Sequence, residues 1–339
     1  MNVTFILLVI LAYAFTLVNG FHDGCNVVAT LIASRAMKPK VALAWAALVE
    51  LISPFAIFII GSSVSDTIKK LVSEACYTDP AAMSTALAFI TGGLLAAVLW
   101  NLITWKFGIP ASSSHALIGG IVGAGMAAFG TGAIAWNYFW VKVVAMIFIT
   151  PLVSFIIGFL IQRLLNFILR KSHAGQRANV FFKYMQWFNM TFLAFNHAYN
   201  DSQKSIGIVM VIISIFGYGT GSIPAWVILI AALCLGLGIE FGGFNVIKTV
   251  GTGIYKVKPI NSFASQLTAG TVILASSLLG APVSASQIVS SSIMGVGTAE
   301  RYKAVHWNVS GKILISWFIT IPIAGTLGAL FYLLFSLIF

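Results

Sequence analysis

Charge is what this chain has least of. Of 339 residues only 8% are charged and 59% are hydrophobic, against about 25% charged in an ordinary soluble domain. No water-soluble fold could hide that much apolar surface, so the solvent is a bilayer. Acid is scarcer than base, eight Asp and Glu against nineteen Lys and Arg. The surplus base lies in short connections between apolar runs, not in one patch, which argues against a nucleic-acid partner. The three cysteines, Cys25, Cys76 and Cys234, lie far apart; their spacing gives neither a disulfide framework nor a metal site, and no cofactor is expected. Alternating segments of about ten residues, the mark of a membrane β-barrel, are missing. So is any His/Glu metal motif or Ser/His/Asp spacing, so an enzyme is not expected.

What is present is a series of long uncharged runs, at roughly 3–35, 41–62, 84–107, 115–130, 136–161, 185–215, 224–246, 264–279, 286–297 and 312–338. Most reach the ~20 residues that a spanning helix needs. The first has a small-residue AYA but no positive n-region, so it reads as a membrane segment and not as a signal peptide. The fold class is an all-α, multi-pass integral membrane protein. Polar clusters interrupt two runs, NGFHDGCN at 19–26 and NHAYNDSQK at 196–204. These predict broken helices. The runs at 115–130 and 286–297 are short and follow Pro/Ser turns, IPASSSH at 109–115 and APVSASQ at 281–287. These predict re-entrant hairpins with the turn at the tip.

The chain repeats itself. Asp23 matches Asp201, Glu50 matches Glu240, Gly61 matches Gly251 and Pro110 matches Pro282, in the same order in both halves. After the prolines, GGIVGAG at 119–125 matches SSIMGVG at 291–297. The expected organisation is a first transmembrane repeat at 1–170, a basic connection at 171–184, and a second repeat at 185–339. Three crossings per half is an odd number, so the second repeat is inverted. Charge agrees: Arg35, Lys38 and Lys40; Arg163, Arg170, Lys171, Arg177 and Lys183; Lys248, Lys256 and Lys258; and Arg301, Lys303 and Lys312 all fall on one side. The positive-inside rule makes that side cytoplasmic. Asp66, Glu74 and Asp79, with Lys69 and Lys70, fall on the other, and both termini are expected outside.

Inverted repeats place substrate and ion sites near the bilayer midplane. Asn19, His22, Asp23 and Asn26 in the first cluster match His197, Asn200, Asp201 and Lys204 in the second, with Asn and His exchanged. A buried carboxylate costs at least ~2.5 kcal/mol in a bilayer, so Asp23 and Asp201 are the leading site residues. Helix N-capping is the simpler role for either one alone. Carboxylates repel an anion, so a cation must accompany it; Asp23, Glu50, Asp201 and Glu240 are the candidate coupling-ion residues. Ser112, Ser113 and Ser114, with Ser284 and Ser286, stand where second hairpin arms begin. Hydroxyls and free N–H groups there make an anion site, with Asn26, Asn200 and Lys204 as further substrate ligands. His115 matches Gln287 and serves packing as readily as ligation. Trp136 and Trp140 read as interface anchors, and Lys106 and Lys142 as snorkelling cations.

The segments NGFHDGCNVVAT, GIPASSSHALIGG, HAYNDSQKSIG and APVSASQIVSSSIMGVG resemble the duplicated signatures of the inorganic phosphate transporter (PiT) family, above all its bacterial low-affinity members, over nearly the whole chain. The resemblance implies a symporter of inorganic phosphate in the inner membrane, driven by protons or sodium, sometimes moving metal phosphate, and a homodimer. Asp23, Asn26, Asn200, Asp201 and the Ser-rich tips match signature positions. Many members carry Asn-Asp in both repeats followed by Asn; here the first reads His22-Asp23, and Lys204 stands opposite Asn26. An ammonium has no lone pair for sodium, so the proton is the expected coupling ion, with sodium as the alternative. Another oxyanion such as sulfate, or an anion channel, are the rival functions.

Overall fold

Lipid offers no hydrogen bonds, so a spanning backbone must satisfy its own polar groups. The computed structural model describes residues 2–172, 175–219, 221–241 and 247–339, and among them it is almost wholly helical, with one isolated bridge between Val72 and Ile134. The principal helices are α1 (Val3–Ala33), α2 (Pro39–Ile60, tightening to a 3-10 turn at Ser53–Ala56), the short α3 (Ser63–Lys69), α4 (Met83–Lys106), α5 (Ser113–Phe129), α6 (Ala145–Ser172), α7 (Gly175–Ile215), α8 (Ala225–Glu240), α9 (Pro259–Leu278), α10 (Ala285–Arg301) and α11 (Trp307–Phe335). The outer helices α6 and α11 turn apolar side chains such as Leu152, Leu160, Ile315 and Leu330 outward. Only a membrane solvates such a surface. The expected connection at 171–184 is largely helical; its residues 173 and 174 lie outside the described residues, as do the side chains of Lys171 and Arg177 and the end of the run at 224–246.

The expected breaks are absent. α1 runs unbroken through 19–26 and α7 through 196–204. The polar side chains there find partners on other helices, so the backbone ladder has no need to open. Gly20 and Gly24 are contacts, not breakers. A Cβ on Gly20 would lie 2.9 Å from the carbonyl oxygen of Leu235, and one on Gly24 3.0 Å from Ile239, so these glycines let α8 pack closely on α1. α1 does end abruptly. Arg35 N–H bonds to Ile32 O (3.0 Å) and Ala36 N–H to Leu31 O (3.2 Å), a Schellman motif whose left-handed position, φ 57°, holds Arg35 where glycine is usual. That conformation costs an L-residue roughly 1–2 kcal/mol.

α4 and α5 form one helical hairpin, α9 and α10 another. Gly108 (φ 64°) and Gly280 (φ 70°) make the turns, and Ser112 and Ser284 cap the second arms by accepting from the backbone N–H of His115 (3.2 Å) and Gln287 (3.4 Å). The hairpins enter from opposite ends of α1. Phe89 of α4 belongs to an apolar cluster with Phe5 and Leu8, while at the start of α9 Pro259 O accepts from Gln186, whose Oε1 accepts from Ser34. Their tips meet in the middle: Ser114 Oγ donates to Val283 O (2.9 Å) and Ser286 Oγ to Ala111 O (2.8 Å).

The last helix of each half crosses to the other half. α11 packs on α4 and α5, and α6 on α9 and α10. This explains the matched glycine motifs. A Cβ on Gly123 would lie 2.0 Å from Gly325 O of α11, and one on the equivalent Gly295 2.1 Å from Phe155 O of α6. Both are backbone-to-backbone crossings that only glycine permits.

Candidate functional site

Where the hairpin tips meet α1 and α7, the described residues hold three buried carboxylates, Asp23, Glu50 and Asp201, with Lys204, His22 and His197 among them. α7 supplies the most connected line. Its i, i+4 spacing puts His197 beside Asp201, Nε2 lying 3.2 Å from Oδ2, while Nδ1 lies 2.8 Å from Glu50 Oε1 on α2. Lys204, one turn on, donates to Asp201 Oδ1, to Ser114 Oγ (2.6 Å) and to Val283 O (2.8 Å), so one ammonium ties α7 to both tips. All three of its protons are placed. Asn19 of α1 closes the line from the other side, donating to Asp201 Oδ2 at 2.9 Å.

α1 supplies a sparser line. His22 Nδ1 lies 3.1 Å from Asp23 Oδ1 and its Nε2 3.1 Å from Thr104 Oγ1, with Ser113 Oγ at 3.5 Å from Nδ1. Asn26 reaches Asp23 Oδ1 at 3.5 Å. Five buried oxygens of the cluster have no protein partner: Asn19 Oδ1, Asp23 Oδ2, Asn26 Oδ1 and, across it, Glu50 Oε2 and Asn200 Oδ1. Buried acceptors without donors are costly. They fit a site that takes a cation.

Of the residues chosen from sequence, Asp23, Asn26, Glu50, Asn200, Asp201, Lys204 and the tip serines come together at the centre. Glu240 does not. Glu50 is fully buried, whereas Glu240 is exposed in the last turn of α8. The face of α8 against α1 carries Leu235, Gly238 and Ile239, and at 100° per residue Glu240 points off it. Two residues outside that set also reach the centre: Thr104, which meets His22, and Ser277, whose Oγ accepts from Asn200 at 2.7 Å. Each hydroxyl comes from the first arm of a hairpin and holds the residue before an aspartate. The signal for them in the sequence is a hydroxyl five or six residues before each tip proline, Thr104 before Pro110 and Ser277 before Pro282.

Comparison with known proteins bears on this geometry. The sequence profile of the Phosphate transporter family matches residues 19–328. A probable low-affinity inorganic phosphate transporter of Bacillus subtilis is 37% identical over 336 residues, 98% of each chain. One of the same name from Rhizobium meliloti is 33% identical, covering 96% of this chain and 94% of its own. The solved structure of a sodium-dependent phosphate transporter superposes with a TM-score of 0.83 at 24% identity, covering 100% of both chains, which shows a common fold.

Proposed function

The chain belongs to the Phosphate transporter family, as its motifs led one to expect, and on that premise we propose that this multi-pass membrane transporter is a phosphate symporter working through the buried cluster. The carrying observation is charge. Three buried carboxylates stand against the single ammonium of Lys204, so acid outnumbers Lys and Arg in the cluster before any substrate arrives. A phosphate entering alone would meet like charge at low dielectric, which is prohibitive. Cations must enter with it. Coupling follows from electrostatics, and a channel for anions alone does not fit.

In this reading the first halves of α5 and α10 aim their N-terminal ends at the anion, with Ser113, Ser114 and Ser286 as hydroxyl donors and Ser112 and Ser284 shaping the turns. Asn26, Asn200 and Lys204 complete the substrate set. Lys204 spends two donors on the tips, so phosphate competes with Ser114 and Val283 for it and loosens the junction. Asp23, Asp201 and Glu50 carry the coupling ion. The proton is our assignment, because Lys204 occupies the place where a second amide oxygen would serve a metal ion. A sodium ion is the second reading. It is favoured by the unpartnered oxygens of Asn19, Asp23 and Asn26 and by the neighbour described as sodium-dependent. The same charge balance admits phosphate travelling as its complex with a divalent metal.

The inverted-topology repeats at 1–170 and 185–339, with re-entrant hairpins, are part of this proposal. They are supported by opposed hairpin entry and by equivalent contacts at Thr104 and Ser277. So are the inner-membrane location, the cytoplasmic placing of the basic end and a homodimer. The test is concentrative phosphate uptake into proteoliposomes under a pH gradient without sodium, or a sodium gradient at equal pH, with sulfate as competitor. Uptake under the pH gradient alone supports the proton; uptake under sodium alone replaces it; equal displacement by sulfate would sink phosphate as the preferred substrate.

A further inference from the structure

One face of α1 stays polar beyond the cluster. Asn19, Asp23, Asn26, Thr30 and Ser34 fall within a narrow arc at helical spacing, and Thr30 Oγ1, like the amide oxygen of Asn26, is buried without a partner. The stripe ends at a cavity of about 740 Å3 lined by Ser34, Arg35, Lys248, Thr252, Lys256 and Lys258 among others. Its lining holds four cationic residues and no acid. None of the four forms an ion pair among the described residues, although all eight acids of the chain are described. Glu300, an acid at the end of α10, is taken by Gln162 (3.0 Å) and Asn261 (3.4 Å).

We propose that this basic cavity is a second binding site, distinct from the central cluster, for a phosphate group. The positive-inside rule accounts for the sign of residues at this end. It does not account for four unpaired cations around one concavity, nor for Arg35. Ending α1 asks for glycine at the left-handed position; an arginine held there at φ 57° is backbone strain beside a cavity, where strain commonly marks function. The planar guanidinium offers paired donors that match phosphate oxygens, and the lysines add point charge. The choice of inorganic phosphate as occupant rests on the phosphate-carrying reading of the cluster, since the stripe would then lead from one site to the other. The head group of an anionic phospholipid has the same chemistry.

The experiment is equilibrium binding of radiolabelled inorganic phosphate to the full chain in nanodiscs of zwitterionic lipid. Wild type is expected to bind about two ions per chain and Lys256→Gln/Lys258→Gln about one, while Lys256→Arg/Lys258→Arg keeps both. Arg35→Gly is expected to weaken the second ion about tenfold while raising thermal stability, because it removes strain and charge together. Equal binding by wild type and Lys256→Gln/Lys258→Gln would overturn the proposal, as would Arg35→Gly that gains stability with binding unchanged. Asp201→Asn separates the two sites: it should abolish the central ion and leave the other. If Asp201→Asn changes nothing but the lysine variant loses its ion, the central reading fails and the cavity stands. Repeating the wild-type measurement with an anionic phospholipid added identifies the natural occupant. Loss of the second ion assigns the cavity to the head group, and retention assigns it to inorganic phosphate.

Discussion

The two hairpins share a plan and differ beyond the tip. Both turn at a left-handed glycine, both cap the second arm with serine, and both cross a distant helix at a glycine. Past the first tip, α5 runs Ala116, Leu117, Ile118, Ile121 and Val122 into an apolar cluster with Leu8, Phe15 and Phe89. Past the second, α10 carries Gln287, Ser290, Ser291 and Ser292, opposite an α9 with Ser262, Ser265, Gln266 and Thr268, all buried. Both amide atoms of Gln266 and Gln287, and the hydroxyls of Ser262 and Ser290, have no protein partner. Buried polar groups without protein partners are normally met by water. The two hairpins thus share turns, caps and glycine crossings while their linings differ: beyond His115 α5 turns apolar, whereas α10 stays polar toward the basic end, and α4 keeps one unpartnered buried amide, Asn101.

That comparison can be broken at its shared part first. Asp23→Asn and Asp201→Asn are each expected to abolish phosphate uptake, a loss of at least about 100-fold, with Asp201→Asn also destabilising because Lys204 would be left buried without its counter-charge. Near-normal uptake in both, in protein shown to be inserted, would remove the carboxylates from the mechanism. Next come the crossings. Gly123→Val and Gly295→Val should each cost about 3 kcal/mol or more by driving side chains into backbone, read as a fall in thermal midpoint in detergent. A large effect at one position only would show that the two crossings are not equivalent. At the tips, Ser113→Ala, Ser114→Ala and Ser286→Ala should each weaken apparent phosphate affinity up to about tenfold; unchanged affinity in all three would leave these serines as links between the tips. The mildest substitutions test the lining itself. Single cysteines at Gln287 and Ser290 should react with a small aqueous thiol reagent roughly tenfold faster than one at Ile118, and equal rates would erase the distinction.

How much of this was legible in the sequence depends on whether the signal was local. The apolar helices and the Ser-capped turns before α5 and α10 are legible, because hydrophobic runs and Pro/Ser turns are properties of short stretches. The continuity of α1 and α7 is not legible there. Glycine and polar residues within an apolar run look like an interruption, yet Asn19 finds Asp201 and His22 finds Thr104 on other helices, and Gly20 faces α8. Partners so far away in sequence leave no local mark. Glu240 lies outside the centre for a related reason: a repeat fixes a residue's place along a helix, and one residue's rotation sets whether it enters the centre.

The exchange of last helices has a consequence for synthesis. The glycine face of α5 is complete once residue 129 has been made, but its cover lies at 307–335, the last helix described. Through most of translation this helix must wait in the membrane with its close-packing surface turned to lipid, and no half of the chain can finish folding alone. Premature termination after α10 would leave a protein with Asp23, Asp201 and both tips, yet with the first hairpin unclamped. Quality control acting on such nascent chains would therefore find its mark in the first half for an error made at the very end.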